Sequence, residues 1–296
     1  MVWTTYPQPW QVAAWPRQTG GMTSAHLLLP DILTSWRQTT ELFFPRVCAS
    51  CHTYGPSMLA SAALCPLCDR LVRLATLNLQ TITLPGTQLP VVSAGRYEHE
   101  LGRCVLAYKD AGRTDLSPYL ASALARAATC LLELNQGELE PAEPIFLVPL
   151  PSSRASVRRR GYAPAPLLAR AVLPLLRYPA PVKVADALAQ VPAWKRGMCG
   201  AKGAQAQKTL GLEERHRQMQ GKLTLGKPAL HQLGRYYRLE GARCLLLDDV
   251  FTTGASLQEG YRVLTSQGAT VLGGATIAYV PKRQPYSTGR GGPPKY

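Results

Sequence analysis

The sequence predicts an α/β protein with a parallel sheet, helices on both faces of it, and a small cysteine module near the N-terminus. Short apolar runs typical of strands buried on both faces alternate with longer stretches of helical periodicity. A strand, helix, strand order implies parallel strands joined by right-handed crossovers. Two CxxC motifs upstream of these elements predict the separate module.

The sheet domain is predicted over residues 91–281, and an extended segment that is rich in Thr, Val and Pro overlaps its start. That segment covers residues 81–96, and helical spacing follows at residues 97–108 and 116–134. After residue 144 the pattern changes to alternating strands and helices. The predicted strands there are 145–150, 244–248 and 270–280, and the predicted helices are 167–176 and 256–267.

Both ends of the chain lack a structural period. The sequence predicts a disordered extension with a short helical segment over residues 1–42, within which Met22 is an alternative start. It also predicts a disordered tail over residues 282–296. No apolar run approaches the ~20 residues of a membrane helix, and the first residues lack the basic start and apolar centre of a signal peptide. Because the cysteines also suggest a reducing compartment, we expect a cytoplasmic protein without membrane insertion.

The chain is strongly basic, with 33 Lys and Arg against 18 Asp and Glu. The excess is concentrated in residues 190–243, which hold eleven basic and three acidic residues. Such a cluster suits an anionic partner, either a nucleic acid or a phosphorylated small molecule, although solvated surface charge is an alternative interpretation. Aromatic residues that could stack on single-stranded DNA are sparse there, limited to Trp194, Tyr236 and Tyr237.

Cys48, Cys51, Cys65 and Cys68 have the spacing of a tetrahedral four-thiolate site. They predict a zinc-ribbon-like module over residues 43–72 in which Zn²⁺ is structural, because four sulfur ligands leave no position for a catalytic water. A redox pair is the alternative, but a thioredoxin-type pair needs only one CxxC. The other cysteines predict ordinary buried or free thiols; they are Cys104, Cys130, Cys199 and Cys244.

The segment 245–256 places two carboxylates after a buried strand and then a loop of small residues that opens a helix. Backbone N–H groups and hydroxyls of such a loop can bind an anion at the helix N-terminus. Asp248 and Asp249 are adjacent on an extended segment, so their side chains are expected on opposite faces. One can accept hydrogen bonds from vicinal sugar hydroxyls while the other orients the loop or a Mg²⁺-bound water. The segment is neither a Walker loop nor a dinucleotide-binding loop.

This segment resembles the phosphoribosyl pyrophosphate signature of type I phosphoribosyltransferases, an acidic pair followed by TTG and a small residue. The resemblance implies a type I phosphoribosyltransferase-like sheet, with Asp248 and Asp249 on the ribose hydroxyls. It also implies a pyrophosphate loop after the strand 145–150, although an ordinary basic loop is the alternative. The implied ligand-binding residues are Thr252, Thr253, Gly254, Ala255 and Ser256 for the 5′-phosphate, and Arg158, Arg159 and Arg160 for the pyrophosphate that Mg²⁺ accompanies.

Three features together are similar to the ComF/GntX family of competence-associated, phosphoribosyltransferase-like proteins. These are the four-cysteine module, the segment Val148-Pro149-Leu150-Pro151 leading to Arg159-Arg160-Gly161-Tyr162, and the sequence DDVFTTG. Lys109 lies in a further segment that matches the family and could reach an anion, although a solvated lysine at a helix end is an equal alternative. The chain departs from the family pattern at three positions. Ala163 and Pro164 stand where the family has Asn and Gln, so two amide side chains are missing there, and Gln218 stands where the family has Asn.

The resemblance implies a factor of DNA uptake in natural transformation that acts on single-stranded DNA with a helicase-like competence protein. One alternative is an active phosphoribosyltransferase of nucleotide or nucleoside metabolism, whose acceptor the sequence does not reveal. Another is a non-catalytic sensor in which the ligand controls partner binding. All three hypotheses permit binding of phosphoribosyl pyrophosphate or a similar phosphorylated sugar, but only the enzyme predicts release of pyrophosphate with an acceptor.

Overall fold

The computed structural model describes residues 47–54, 63–138, 143–192, 221–226 and 239–281. All of them belong to one compact unit, Val47–Tyr296. The predictions for residues 1–42, for most of the basic stretch 190–243 and for residues 282–296 lie outside the described residues. Within the described ranges, no helix combines the length and the apolar character needed to cross a bilayer.

Eight strands and six α-helices occur in the described residues. The strands are β1 (Gln80–Thr83), β2 (Pro90–Arg96), β3 (Ile145–Pro149), β4 (Val182–Val184), β5 (Leu188–Gln190), β6 (Leu223–Leu225), β7 (Arg243–Phe251) and β8 (Thr270–Tyr279). The helices are α1 (Pro66–Ala75), α2 (His99–Asp110), α3 (Ser117–Leu134), α4 (Arg154–Arg160), α5 (Pro164–Val172) and α6 (Ala255–Thr265). Short 3-10 turns lie at Thr114–Leu116, Gln136–Glu138 and Leu173–Leu175.

Six of the strands form one mainly parallel sheet in the order β1-β2-β8-β7-β3-β4. Only β1 is antiparallel to its neighbour, and β5 and β6 form a separate antiparallel pair. The predicted parallel α/β sheet is therefore confirmed. The segment 81–96 is not one extended run, because a turn with Gly86 at φ 73° folds it into the β1–β2 hairpin.

The predicted helices are present with shifted ends. The one predicted at 167–176 begins earlier, at Pro164, and ends at Val172. Proline suits the first turn of a helix because its missing N–H would have no intrahelical partner there. The short strands β4, β5 and β6 and the helices α1 and α4 were not predicted as separate elements.

Side chains alternate along the central strands between two hydrophobic clusters, as the pleat of a strand requires. Leu147 and Leu245 pack with α2, α3 and α5 on one face. Val148 and Leu246 pack with α6 and the β5–β6 pair on the other face. The prediction of helices on both faces is confirmed.

Strands β3 and β7 are parallel neighbours, but the chain leaves them toward opposite faces of the sheet. Helix α5, the second helix after β3, packs on one face, and α6, which follows β7, packs on the other. In open α/β sheets, a crevice opens beyond the carboxyl ends of such a strand pair, and ligands bind in it. The topology therefore brings the segments that follow β3 and β7 to one place.

Candidate ligand-binding cleft and metal centre

A cleft of about 310 Å³ opens at the carboxyl ends of β3 and β7. The cleft is lined by residues at the ends of β3 and β7, by the end of α2 and by the β5–β6 pair. The polar residues that line it are Lys109, Ser152, Ser153, Ser156, Arg160, Gln190, Asp248, Asp249, Thr252 and Ser256.

The acidic wall of the cleft is formed by Asp248 and Asp249. Adjacent residues of a strand are expected to point to opposite faces of the sheet. Asp248 and Asp249 nevertheless line the same cleft, because the cleft extends around the end of β7 to both faces. The Asp249 N–H donates a hydrogen bond of 2.9 Å to Asp248 Oδ1. Burial raises the pKa of Asp248 to about 8, and the adjacent charge of Asp249 adds to the rise while Lys109 opposes it. Asp248 therefore favours its neutral form in the folded protein.

The basic wall is formed by Lys109 and Arg160. Lys109 Nζ lies 2.8 Å from Asp249 Oδ2, and Arg160 Nη2 lies 2.7 Å from Asp110 Oδ1. Burial lowers the pKa of Lys109, but the charge of Asp249 and the hydrogen bond to its carboxylate raise it by more, so the pKa of Lys109 is raised and it stays protonated. The Arg160 side chain is only 7% exposed, and its Nε, also buried, has no hydrogen-bond acceptor among the residues that the structure describes.

The structure places the three predicted arginines differently. Only Arg160 lines the cleft. Arg158 and Arg159 are exposed, and Arg159 lies 3.6 Å from Asp110 at the surface. Helix α4 explains the difference, because consecutive residues of a helix project about 100° apart and cannot face one ligand together.

The loop from Thr252 to Ser256 joins β7 to α6. Thr252 and Ser256 line the cleft, and Thr253 Oγ1 accepts a 3.3 Å hydrogen bond from the Ala255 N–H. Gly254 precedes the helix with φ at 78°, and a Cβ there would lie 2.7 Å from Leu84 Cδ1. Glycine is needed at this position for both its backbone angle and its packing.

Serines and a glutamine complete the cleft without having been proposed as ligands. Ser153 caps α4, since its Oγ accepts a 3.0 Å hydrogen bond from the Ser156 N–H. Gln190 Nε2 donates a 3.1 Å hydrogen bond to the Pro151 carbonyl. The serines could have been predicted as ligands, because they follow a buried strand closely in the sequence. Gln190 could not, because the β5–β6 pair that places it at the cleft has no clear sequence pattern.

The cleft offers two kinds of chemistry side by side. The carboxyls can accept hydrogen bonds from hydroxyls or bind a divalent cation. Lys109, Arg160, the hydroxyls and the start of α6 can bind phosphate oxygens. A single molecule that contacted both walls would need hydroxyls for the acidic wall and phosphates for the basic wall.

The four predicted cysteines come together in a second site. The Sγ atoms of Cys48, Cys51, Cys65 and Cys68 all lie within 4.8 Å of one another. The distance between Cys51 Sγ and Cys65 Sγ is 3.7 Å, close to the ~3.8 Å that tetrahedral coordination with Zn–S bonds of about 2.3 Å gives. The Cys65 N–H also donates to Cys48 Sγ over 3.4 Å. The donor set therefore fits a tetrahedral metal ion.

This cysteine cluster is built into the main core. Cys48, Cys65 and Cys68 belong to the same hydrophobic cluster as the buried residues of α2 and α3. Arg113, just after α2, donates hydrogen bonds of 3.0 Å to the Val47 carbonyl and 3.3 Å to the Ala63 carbonyl. Arg113 thereby joins both cysteine-bearing segments to the sheet domain.

Comparison with known proteins gives a structural likeness but no family. No protein-family model matches the sequence, and no curated protein matches it. The crystal structure of adenine phosphoribosyltransferase is similar over 71% of this chain and 89% of that chain, with 14% sequence identity and a TM-score of 0.30. A likeness of that size carries no weight for function, which has to be argued from the cleft.

Proposed function

We propose that the cleft binds phosphoribosyl pyrophosphate, or a closely similar phosphorylated sugar, together with Mg²⁺. The observation that carries the proposal is the meeting of a carboxyl pair, two cationic side chains and a helix-opening loop at one crevice of a parallel sheet. The type I phosphoribosyltransferase resemblance of residues 248–256 supports the same ligand.

Each wall has a role in this proposal. Asp248 and Asp249 accept hydrogen bonds from the ribose hydroxyls, and the loop 252–256 receives the 5′-phosphate at the start of α6. Arg160 and Lys109 bind the pyrophosphate. When bound, Mg²⁺ supplies positive charge that reduces repulsion within the pyrophosphate.

The reaction that fits these roles is phosphoribosyl transfer. The bond between the ribose C1 and the pyrophosphate oxygen breaks, the pyrophosphate leaves with the bonding electrons, and a nucleophile forms a new bond to C1. Negative charge develops on the leaving group, so Arg160 and Lys109 lower the barrier by stabilising that charge.

Calorimetry with phosphoribosyl pyrophosphate and Mg²⁺ tests the proposal. We expect saturable binding to the wild type and at least about a tenfold loss in Asp249→Asn and Arg160→Gln, since one charge-assisted contact contributes about 1.5–3 kcal/mol. Asp69→Asn and Arg73→Gln are matched controls, because these two residues form an ion pair on α1 rather than lining the cleft. Absence of binding by folded, metal-loaded wild type would refute the proposal.

The zinc assignment and the cellular role are finer parts of the proposal. The fit of the four thiols to tetrahedral geometry supports structural Zn²⁺.

The ComF/GntX resemblance supports a cytoplasmic role in DNA uptake with single-stranded DNA and a helicase-like protein. Fluorescence anisotropy with labelled single-stranded DNA at several salt concentrations tests that role: affinity that falls steeply with salt supports it, and no binding at low salt contradicts it.

A further inference from the structure

The last two residues of α2 make ion pairs to different walls of the cleft. Lys109 Nζ lies 2.8 Å from Asp249 Oδ2 and 3.1 Å from Asp249 Oδ1, so it contacts both carboxylate oxygens. Asp110 Oδ1 lies 2.7 Å from Arg160 Nη2 on α4. The end of α2 therefore connects the acidic wall to the basic wall.

The two pairs share a pattern of burial. In each pair the residue outside α2 is the more buried member, with Asp249 12% exposed and Arg160 7% exposed. Their partners on α2 are more exposed, with Lys109 at 38% and Asp110 at 43%. Since a buried charge without a partner is costly, Lys109 and Asp110 stabilise the fold by neutralising Asp249 and Arg160.

This neutralisation is complete for Asp249, whereas the single charge of Asp110 is shared between Arg160 and Arg159. Both oxygens of Asp249 are within reach of Lys109 Nζ. Arg160 retains a buried Nε without an acceptor. The Asp249 carboxylate is therefore fully paired with a cation, whereas the guanidinium of Arg160, which lines the cleft, is not fully hydrogen-bonded within the described residues.

We propose that Lys109 acts as an internal counter-ion that keeps Asp249 from binding a free divalent cation and releases it only to a cation that arrives with a polyphosphate. This inference rests on the proposed function. If Lys109 left Asp249 for a free cation, its ammonium and the cation would add positive charge beside Arg160. A polyphosphate removes that excess, because the released ammonium and the Arg160 guanidinium, on a residue that lines the cleft, can both bind phosphate oxygens. Lys109 thus makes cation and anion binding cooperative and selects the complex over the bare metal.

Binding of Mn²⁺ alone tests the inference without any sugar ligand. Free Mn²⁺ is measured by electron paramagnetic resonance in titrations of the wild type, Lys109→Met, Lys109→Arg and Lys183→Met. Lys183 is an exposed lysine on β4 and does not line the cleft, so Lys183→Met is the matched control. We expect Lys109→Met to bind Mn²⁺ at least about fivefold more tightly than the wild type, within the usual range of coupling between sites. Lys109→Arg and Lys183→Met should resemble the wild type.

A second variant locates the effect. Adding Asp249→Asn to Lys109→Met should abolish the gain in Mn²⁺ affinity, because it removes the carboxylate that Lys109 covers. Equal Mn²⁺ affinity of the wild type and folded Lys109→Met would overturn the inference even if the wild type binds phosphoribosyl pyrophosphate. Failure of the wild type to bind phosphoribosyl pyrophosphate, with the Mn²⁺ gain present, would overturn only the sugar ligand. Circular dichroism spectra confirm that each variant is folded.

Discussion

At the scale of single residues, the environment of Asp248 differs clearly from that of a surface carboxyl. Its pKa is raised to about 8 by burial first and by the charge of Asp249 second, whereas an unfolded Asp has a pKa near 3.9. Between these values the folded protein binds the proton that the unfolded chain releases. The free energy of unfolding therefore falls as pH rises through this window.

Asp248→Asn should flatten this dependence, because the amide stays neutral and its oxygen can still accept from the Asp249 N–H. We expect the variant to be more stable than the wild type at pH 8 by at least about 1 kcal/mol, the scale of one poorly satisfied buried polar group. Urea unfolding at pH 5, 6, 7 and 8 measures the slope. The surface variant Asp69→Asn should retain the wild-type slope, and parallel profiles for Asp248→Asn and the wild type would contradict the raised pKa.

At the scale of elements, the start of α6 depends on Gly254. Gly254→Ala should destabilise the protein by more than the ~1–2 kcal/mol of a left-handed alanine, because its Cβ would also meet Leu84 and Phe251. Gly241→Ala is the matched control, since Gly241 has φ at 71° but open space around its Cβ position. Thermal unfolding of the two variants compares the costs; equal losses of stability would show that packing at the loop contributes nothing.

An element could be predicted where its sequence pattern lies within one short segment of the chain. The strand β7 and its loop were readable because an apolar run, two carboxylates and TTG lie in one short segment. The three-residue strands β4, β5 and β6 were not, because such strands carry too little pattern and form only through distant partners. The sequence offered Arg158, Arg159 and Arg160 as equals, and only the helical geometry of α4 separates Arg160 from the other two.

Contacts between distant residues set the other limit to prediction. The sequence predicts Lys109 as an anion ligand, whereas in the structure its ammonium pairs with Asp249, which lies 140 residues away in the chain. No local pattern encodes that pair, because it forms only when the end of α2 meets the end of β7. The four cysteines are the opposite case, since the spacing within each CxxC turn fixes which sulfurs can meet.

At the scale of the whole molecule, the cysteine cluster shares one core with α2 and α3. If the cluster holds the structural metal that we propose, loss of that metal should therefore destabilise the sheet domain as well as residues near the cysteines. We expect Cys51→Ser to lower Tm by about 6–12 °C, which corresponds to about 3 kcal/mol for a domain of this size. Differential scanning calorimetry and metal analysis measure both effects. Cys130→Ser, outside the cluster, should keep the metal and a near-normal Tm; a Cys51→Ser transition unchanged in Tm would contradict a structural metal.

The central claim is that both walls of the cleft bind one molecule. The most direct test is to compare phosphoribosyl pyrophosphate with ribose 5-phosphate and with pyrophosphate by calorimetry, each with Mg²⁺ and the wild-type protein. If the walls act together, phosphoribosyl pyrophosphate should bind at least about tenfold more tightly than either fragment, a difference of about 1.4 kcal/mol. Equal affinities for pyrophosphate and phosphoribosyl pyrophosphate would contradict the claim, because the carboxyl wall would then contribute nothing to recognition.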